Sequence, residues 1–503
     1  MLRSSTALGF SCLLLLGGAL SCPACKDDPA NPGNTSSGGT AAQSGGAGSD
    51  AGGVDAAGSP SVPSAGAAGT GSGAEASDSC EPPTGEGTVH AAYVTEDETW
   101  TAAASPHLVP DGLTVSAMLT LEPCAVVRVA AGRDLLVNGK LLALGEYRAA
   151  TATKPESSRL VRIERLDAKP WGAITSSSAG GQIELTATLV DGGGAVPQGT
   201  DPLQTGMVVL EGERQKPLAE RLTLARAVLR GSSSQGVVLT NNAAFAPEST
   251  LSVTGSAGYP LLVGAQAAGT IPELRLADNA TDAILVGTSE RLGDAGPSDV
   301  VLRNGGYPYV IGSDLDTTGL VVGTGNGSAA TLTLEPGVEL RFPAGGGLAV
   351  EGPDGSLIAE GSQAKPIVFT TALLPALAGA WLGLNFRGEI AAATSLDHVS
   401  VSYAGSLDTE TRSFSCGSPP APSASQQQTM GAIYLSLDVP PAKSFVKNSL
   451  FSDSASNGID RGYTGDAIDF SVSNSFERLA FCVQTEPKPL LGACPDAPAC
   501  PQL

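Results

Sequence analysis

Short runs of alternating aliphatic and polar residues recur along the middle of the chain at nearly constant spacing. Each run is followed by a polar turn and a second short aliphatic run. Alternation with a period of two indicates a β-strand with one buried face. The corresponding aliphatic residues of successive runs are 24, 23 and 26 positions apart: Leu229, Val253, Leu276 and Leu302. A repeat of two or three short strands fits one coil of a parallel β-helix, in which each coil buries its aliphatic side chains against its neighbours.

A longer repeat frames these coils. Residues 119–123 and 332–336 both read Leu-Thr-Leu-Glu-Pro, and the similarity continues downstream in each copy. This pattern indicates an internally duplicated module. In the first copy, Cys124 stands where the second copy has Gly337. The other matched pairs are Arg128 with Arg341, Gly132 with Gly345, Leu135 with Leu348, Val137 with Val350, Gly139 with Gly352, and Trp171 with Trp381.

Two smaller motifs recur at matching places in separate units. Gly-Tyr-Pro occurs at residues 258–260 and 306–308, each time just before an aliphatic run. Near the C-terminus, Asn448 and Asn474 end similar tripeptides 26 residues apart. Asparagine tolerates a left-handed backbone at a sharp corner, and stacked amides can hydrogen-bond from coil to coil. These motifs therefore favour a fixed structural register, although Asn is also common in ordinary turns.

Residues 331–371 resemble the opening coils of right-handed parallel β-helix surface proteins of Gram-negative bacteria. The similarity rests on Leu-Thr-Leu-Glu-Pro-Gly, Gly-Ser-Leu-Ile-Ala-Glu-Gly and Lys-Pro-Ile-Val-Phe-Thr, and on segments 445–452 and 470–481. It covers most of residues 85–485. The resemblance implies an extracytoplasmic, often lipid-anchored protein of unassigned activity. We therefore expect an all-β chain whose body, residues 80–485, is a right-handed parallel β-helix, followed by a Cys/Pro-rich tail at 486–503.

The composition agrees with a fold of stacked short strands. Hydrophobic residues make up 42% of the chain but aromatics only 4%, so aliphatic side chains must build the core. The 64 glycines and 35 prolines supply frequent turns. The net charge of −22 argues against nucleic acid and against electrostatic binding to anionic lipid, because both need clustered Lys and Arg. The acidity is most simply a matter of solubility, with cation binding as the sharper alternative.

The first 21 residues read as a lipoprotein signal peptide. Arg3 gives a positive start, and an apolar stretch over residues 7–20 is too short for a stable membrane span. The order Ala19-Leu20-Ser21-Cys22 resembles the bacterial lipobox, although Ala19 stands where Leu is usual. We therefore expect a lipid on Cys22, which would anchor the protein in a membrane. Cys25 is the weaker rival, and a plain secretory signal is the alternative.

The residue after the lipid-bearing cysteine bears on the final location. It is Pro23 and not the Asp that typically retains lipoproteins in the inner membrane. The resemblance therefore implies the outer membrane, on the cell surface or the periplasmic face.

Residues 22–79 are expected to form a flexible linker behind the anchor. From residue 27 the segment contains almost only Gly, Ala, Ser, Thr, Pro, Asn and a few acids, with Val54 and Val62 as its only large aliphatics. Such a segment cannot bury enough apolar surface to offset its ordering entropy. It contains no Lys or Arg after Lys26, so an anionic membrane surface would repel it.

Six cysteines remain in the exported body, and an even number in an exported chain favours disulfides. Cys80 and Cys124 flank the N-terminal coils and form the expected first pair. The last four allow three connectivities: Cys416, Cys482, Cys494 and Cys500. A zinc site is not expected, because the folded body has no Cys-x-x-Cys pair and the chain has only 3 histidines.

The sequence offers no catalytic constellation on which we would rely. A Ser-His-Asp triad would have to use His90, His107 or His398. His398 follows Asp397 on a predicted strand, where alternating side chains would point to opposite faces. No nucleophile elbow, phosphate loop or zinc signature occurs.

Two functional hypotheses remain. The first is a non-enzymatic display or adhesion module that binds a glycan or an envelope protein. The second is a polysaccharide lyase or hydrolase, which needs clustered carboxylates. No cofactor is expected apart from calcium, and the acidic turns are the candidate contacts for calcium or a glycan. The best acidic group consists of Asp453, Asp460, Asp466 and Asp469, with Arg461 among them. The region is rich in Gly, Ser and Asn, so solvated turns are the simplest explanation for these aspartates. Asp314 and Asp316 form a weaker candidate calcium loop.

Overall fold

The computed structural model describes residues 77–151, 154–177, 180–313, 319–325, 327–406, 415–416 and 431–492. The chain divides into two units, Met1–Ala67 and Ala68–Leu503, and all described residues belong to the second. Several predicted features lie outside the described residues: the signal peptide, Cys22, nearly all of the linker, Asp314, Asp316, Cys494 and Cys500. No helix in the described part is long and apolar enough to cross a membrane.

The described residues form strands and three short 3₁₀ helices, Ala102–Ala104, Pro202–Gln204 and Gln266–Thr270. The first strands are β1 Ser77–Asp78, β2 Thr88–Val89, β3 Tyr93–Val94, β4 Glu98–Trp100, β5 His107–Val109, β6 Leu113–Val115, β7 Met118–Leu121, β8 Val126–Val129, β9 Leu135–Val137, β10 Lys140–Leu144, β11 Glu146–Arg148, β12 Ser157–Arg159, β13 Val161–Arg165, β14 Ile174–Ser176, β15 Gln182–Thr186, β16 Thr188–Asp191, β17 Gly206–Glu211, β18 Ala219–Ala225, β19 Ala227–Arg230, β20 Gln235–Thr240 and β21 Ala243–Phe245.

The remaining strands carry the same short pattern to the end of the described chain. They are β22 Thr250–Thr254, β23 Leu261–Gly264, β24 Glu273–Ala277, β25 Ile284–Gly287, β26 Ser298–Leu302, β27 Tyr309–Ile311, β28 Leu320–Val322, β29 Ala330–Leu334, β30 Glu339–Phe342, β31 Leu348–Glu351, β32 Gly355–Glu360, β33 Ile367–Thr371, β34 Leu384–Gly388, β35 Ser395–Asp397, β36 Val399–Ser402, β37 Ile433–Leu437, β38 Val446–Lys447, β39 Leu450–Ser452, β40 Ile459–Arg461 and β41 Ser475–Glu477.

These strands assemble into long sheets. Sheet C has fourteen strands, in the order β3-β6-β9-β14-β17-β20-β23-β25-β27-β30-β33-β36-β39-β41. Sheet B has eight (β2-β5-β8-β13-β16-β19-β22-β24) and sheet D has six (β21-β18-β15-β10-β7-β4). Sheets E (β28-β31-β34-β37-β40) and F (β26-β29-β32-β35-β38) have five each, and sheet A is the small β1-β12-β11.

The chain visits these sheets in rotation. In the first part, β7 lies in sheet D, β8 in sheet B and β9 in sheet C, and β10 then returns to sheet D in parallel beside β7. In the later part the rotation is F, C and E, as in β29, β30 and β31. In sheet A, β11 and β12 pair antiparallel. The predicted all-β class is confirmed, and the strand order is consistent with a parallel β-solenoid.

Side-chain alternation explains the core. In β7, Leu119 and Leu121 are almost fully buried and Thr120 between them is half-buried. Leu119 pairs with Leu141 on the next coil, and this stacking continues from strand to strand. Because neighbouring strands are only about 4.8 Å apart, the aliphatic side chains of successive coils fill one continuous interior.

The register confirms most of the predicted coil period. Leu229 pairs with Val253, and Val253 pairs with Leu276, all on sheet B. Leu302 does not continue this series, so that part of the prediction was wrong. Sheet B ends at β24, and Leu302 lies in β26 on sheet F, paired with Leu334.

The duplicated module is visible in the backbone as well as in the sequence. Gly132 and Gly345 both have left-handed φ values, 65° and 71°. Trp171 and Trp381 are fully buried, and each indole nitrogen donates a hydrogen bond to a backbone oxygen, that of Asp191 at 2.9 Å and that of Ser402 at 2.8 Å. The copies therefore share local geometry down to single hydrogen bonds.

The two copies use different sheets for equivalent strands. β7, β8 and β9 of the first copy lie in sheets D, B and C, whereas their counterparts β29, β30 and β31 lie in sheets F, C and E. Sheet C thus runs through both copies, but it contains the third strand of the module in the first copy (β9) and the second strand in the second copy (β30). The change occurs where the 3₁₀ helix Gln266–Thr270 packs against both β21 and β26.

Candidate functional site

The predicted acidic group lies at the C-terminal coils. Asp453 follows β39 at a corner, with a left-handed φ of 53°. Asp460 is within β40, and Asp466 and Asp469 lie between β40 and β41. Their contacts differ from one residue to the next.

Asp453 forms a two-point ion pair with Arg478 of the next coil. The Arg478 Nε and Nη2 atoms donate to the two carboxylate oxygens at 2.6 and 2.8 Å. These hydrogen bonds hold the pKa of Asp453 below its ordinary value. Because Arg478 also has a left-handed φ of 49°, the pair links two stacked corners.

Asp460 and Arg461 are buried side by side in β40, at 0% and 2% exposure. The Thr485 hydroxyl donates to an Asp460 carboxylate oxygen at 3.2 Å. The Arg461 guanidinium donates to the backbone oxygens of Thr485 and Ile468 and contacts the Glu486 carboxylate at 3.1 Å. These contacts hold the segment after β41 against the last coils.

Asp469 and Asp466 are both exposed. Asp469 accepts hydrogen bonds from the Ser471 hydroxyl and backbone N–H and from the Gln484 amide, and the bonds from Ser471 are the main cause that lowers its pKa. Across the described part of the chain, no three His, Cys, Asp or Glu side chains are grouped so as to hold a metal ion. Calcium or glycan contact at the four aspartates stays a prediction.

The two N-terminal histidines meet in a stacked cluster with Trp100. His90 Nε2 lies 2.9 Å from His107 Nδ1, and His107 Nε2 lies 2.9 Å from the Thr101 backbone oxygen. A carbonyl only accepts, so His107 carries its proton on Nε2 and accepts from His90 at Nδ1. The Trp100 ring stacks on both imidazoles, with centroids 3.7 and 4.9 Å away. Burial lowers the pKa of both histidines.

Asp397 and His398 do not point to opposite faces, so that prediction was wrong. His398 Nδ1 lies 2.8 Å from Asp397 Oδ1. The cause is the backbone, because His398 has a left-handed φ of 49° at the corner between β35 and β36 and does not continue the strand. Asp397 Oδ1 also accepts from the Asn448 amide at 2.9 Å. The pair therefore belongs to a corner contact between coils.

Cys80 and Cys124 form a disulfide, as predicted. Cys416 and Cys482 are buried and each is also disulfide-bonded. The connectivity of the last four cysteines stays a prediction.

Basic side chains are concentrated in one stretch of the chain, a feature that the net charge conceals. Nine of the 28 Lys and Arg residues, but only five of the 50 acids, fall within residues 128–169. This stretch includes β8 and β13 of sheet B and the β11–β12 hairpin beside it. A count of charge in sequence windows would have found the concentration, although not its arrangement on the fold.

At one end of the sheet B strands, Asp191 is shared by two arginines. Arg230 Nε lies 2.8 Å and Arg165 Nη2 lies 3.6 Å from its carboxylate oxygens. At the hairpin, Glu146 is shared in the same way, by Arg159 at 3.2 Å and Arg148 at 3.7 Å. Each cluster therefore holds two guanidinium charges against one carboxylate.

No protein-family model, curated protein or solved structure matches this chain. The class of protein is therefore defined by its own fold, an all-β chain with long parallel sheets.

Proposed function

We propose that the protein is a lipoprotein of the outer membrane, on the cell surface or the periplasmic face, held by a lipid on Cys22. Behind a flexible linker it displays a closed, right-handed parallel β-helix. The body serves envelope structure, adhesion or glycan binding and does not catalyse a reaction.

The observation that supports this proposal most strongly is the fourteen-strand sheet C. At about 4.8 Å between neighbouring strands, its outer face extends roughly 60 Å. The interior behind it is filled with aliphatic and aromatic side chains. A long, regular outer surface over a filled interior suits display and lateral binding, as in other solenoid proteins.

The contacts of the acidic group agree with a structural role. Asp453 pairs with Arg478 on the next coil, Asp460 accepts from Thr485, and Asp469 caps the turn at Ser471. A hydrolase would need two carboxylates placed on either side of one sugar bond. Here Asp453, Asp460 and Asp469 each serve a different contact within or between the last coils.

The anchor is tested by metabolic labelling with an alkyne fatty acid and by mass spectrometry of the mature N-terminus. We expect lipid on Cys22 and its loss in Cys22→Ser, whereas Cys25→Ser should remain labelled. A mature chain that begins at another residue, or an unlabelled Cys22, would contradict the proposal.

Display is tested with the full chain purified from membranes in detergent. The chain is applied to a glycan array and to isolated envelope proteins, and sugar release from bound glycans is measured separately. We expect binding without turnover. Turnover that disappears in Asp466→Asn or Asp469→Asn, with an unchanged circular-dichroism spectrum, would establish the carbohydrate-active enzyme instead.

A further inference from the structure

The charge of the protein is distributed unevenly. The net charge is −22, yet residues 128–169 hold nine basic and five acidic residues, and the rest of the chain holds 19 basic and 45 acidic residues. An isolated basic region on a strongly acidic protein concentrates negatively charged ligands at one place. Its position on the fold therefore indicates where an anionic partner would bind.

Three of these nine basic residues lie in strands β8 and β13 of sheet B, namely Arg128, Arg162 and Arg165, and two more, Arg148 and Arg159, lie in the β11–β12 hairpin that directly precedes β13. Arg128 and Glu164 are cross-strand neighbours in β8 and β13, and they form an ion pair at 2.9 Å. Arg162, on the same face, pairs with Asp78 of β1. On the next two strands the ladder continues from Arg162 through the partly buried aliphatics Leu189 and Val228, which are cross-strand neighbours. The face thus combines arginines with aliphatic surface.

Two arginine clusters, one at the ends of the sheet B strands and one on the β11–β12 hairpin, each carry an unbalanced positive charge. Arg165 and Arg230 share Asp191, and their side chains are 41% and 52% exposed while that of Asp191 is 22% exposed. One carboxylate balances one of the two guanidinium groups. The exposed faces of both arginines remain open to a further carboxylate, sulfate or phosphate.

The cluster on the β11–β12 hairpin repeats this arrangement. Arg148 and Arg159 share Glu146, with side-chain exposures of 74% and 44%. A cavity beside them is lined by Ser79, Ser157 and Ser158 together with these three charged residues. The Arg226 guanidinium stacks 3.4 Å over the ring of Tyr147 in β11. This cation–π contact orients a further positive charge beside the hairpin.

The arrangement fits an extended polymer better than a compact anion. The cations lie at the ends of β13 and β19 and on the hairpin just before β13, and not around one enclosed pocket. Strands β8, β13, β16 and β19 are consecutive neighbours in sheet B, so the charges continue across several coils. A linear polymer with a negative charge on each repeat could contact both arginine clusters at once.

From these observations we infer that the outer face of sheet B, with the β11–β12 hairpin, binds an anionic polysaccharide that carries carboxylate, sulfate or phosphate groups. The inference rests on the proposed display function and specifies its partner. The Arg pairs on Asp191 and Glu146 are the expected contacts for the anionic groups of the sugar chain.

The test measures binding of the full chain in detergent to polygalacturonate and to neutral galactan at 50, 150 and 500 mM NaCl. We expect binding to polygalacturonate that weakens at least tenfold across this series, and little binding to galactan. Double replacement Arg165→Gln with Arg230→Gln should weaken binding at least threefold, and Arg148→Gln with Arg159→Gln should act similarly. The matched control is Arg341→Gln with Arg387→Gln, which removes paired arginines from sheets C and E and should leave affinity unchanged.

Asp191→Asn gives a test of opposite sign. It removes the carboxylate charge shared by two guanidinium groups and keeps nearly the same side-chain size, so polygalacturonate should bind at least twofold more tightly. A purely structural role for this cluster would give unchanged or weaker binding. The Trp171 indole contacts the backbone oxygen of residue 191, so the replacement keeps that hydrogen bond.

Three outcomes overturn the inference. Equal binding to galactan would show that charge is not recognised, and the display function would still stand. Unchanged affinity in both arginine double variants would place the polyanion elsewhere on the protein. Binding to anionic vesicles, lost in the same double variants and without binding to polygalacturonate, would identify a membrane surface as the partner. Failure to bind any array glycan or envelope protein would instead refute the display function itself.

Discussion

Cys124 and Gly337 hold the same position in the two copies of the repeated module, and both have a left-handed backbone, with φ values of 70° and 89°. The turn after Glu-Pro requires this conformation in each copy. A residue with a Cβ atom adopts it at a cost of about 1–2 kcal/mol. In the first copy, the disulfide between Cys80 and Cys124 offsets that cost.

Gly337→Ala should destabilise the second copy by about 1–3 kcal/mol, from backbone strain and a lost contact. The added Cβ would lie 2.4 Å from Asn304 Nδ2, which now donates a hydrogen bond to the Pro336 oxygen. Urea denaturation measures the change. Gly287→Ala is the matched control, because its Cβ would meet only the Val263 oxygen at 3.7 Å and its φ is not left-handed. Equal effects of the two replacements would refute the strain argument.

The disulfide between Cys80 and Cys124 should contribute more to the free energy of unfolding than the conformation of the turn does. The bridged residues are 44 positions apart, and in the chain-entropy model a loop of that size is worth about 4 kcal/mol. We expect Cys80→Ser with Cys124→Ser to lower the free energy of unfolding by about 3–4 kcal/mol. Cys80→Ser with Cys124→Gly should lose about 1 kcal/mol less, because glycine removes the left-handed strain. A larger loss with glycine than with serine would contradict this reading of the turn.

The sequence predicted the coils better than it predicted their arrangement. Alternation and spacing correctly placed Leu229, Val253 and Leu276 on one face, because buried aliphatics must recur once per coil. The same spacing wrongly added Leu302, since a separation of about 25 residues does not say which face of the coil a strand occupies. The change of sheets at the 3₁₀ helix Gln266–Thr270 depends on packing between coils and leaves no periodic signal in the chain.

The candidate sites show the same limit. The left-handed corner at His398 brings its imidazole to Asp397, and strand alternation alone could not reveal it. The sharing of Asp191 by Arg165 and Arg230 joins residues 26 and 39 positions away from it, so it requires the register of sheet B. Charge counts could find the basic stretch, but pairing across coils decides which charges are balanced.

Arg461 should be the most sensitive charged residue of the C-terminal coils. Its buried guanidinium contacts two backbone oxygens and the Glu486 carboxylate. Removing a buried charged donor leaves those acceptors unpaired, so Arg461→Gln should cost about 2–4 kcal/mol and speed amide exchange over residues 482–488. Arg478→Gln breaks an ion pair whose arginine is 61% exposed and should cost under about 1 kcal/mol. Equal losses for the two variants would show that burial of Arg461 is not the cause.

The histidine cluster predicts how stability depends on pH. Burial lowers the pKa of His90 and His107 in the folded chain, and the facing imidazole adds to the effect at His90, while Glu98 opposes it. An unfolded histidine titrates near pH 6.5, so below that pH the unfolded chain binds more protons than the folded chain. The free energy of unfolding should therefore decrease as the pH falls from about 7 to 5.5.

The geometry gives the physical reason for this direction, and a variant isolates it. Protonated His107 carries an N–H on Nδ1 and can no longer accept from His90 Nε2 across the 2.9 Å contact, so His90 must move its own proton to Nδ1 or lose the hydrogen bond. His90→Phe keeps a flat ring against Trp100 but removes that titrating group. We expect the variant to lose less stability than the natural chain between pH 7.5 and 5.5, measured by urea denaturation at each pH. Because other ionisable groups contribute equally to both proteins, their difference reports the cluster alone, and identical pH profiles would show that the pair does not titrate with unfolding.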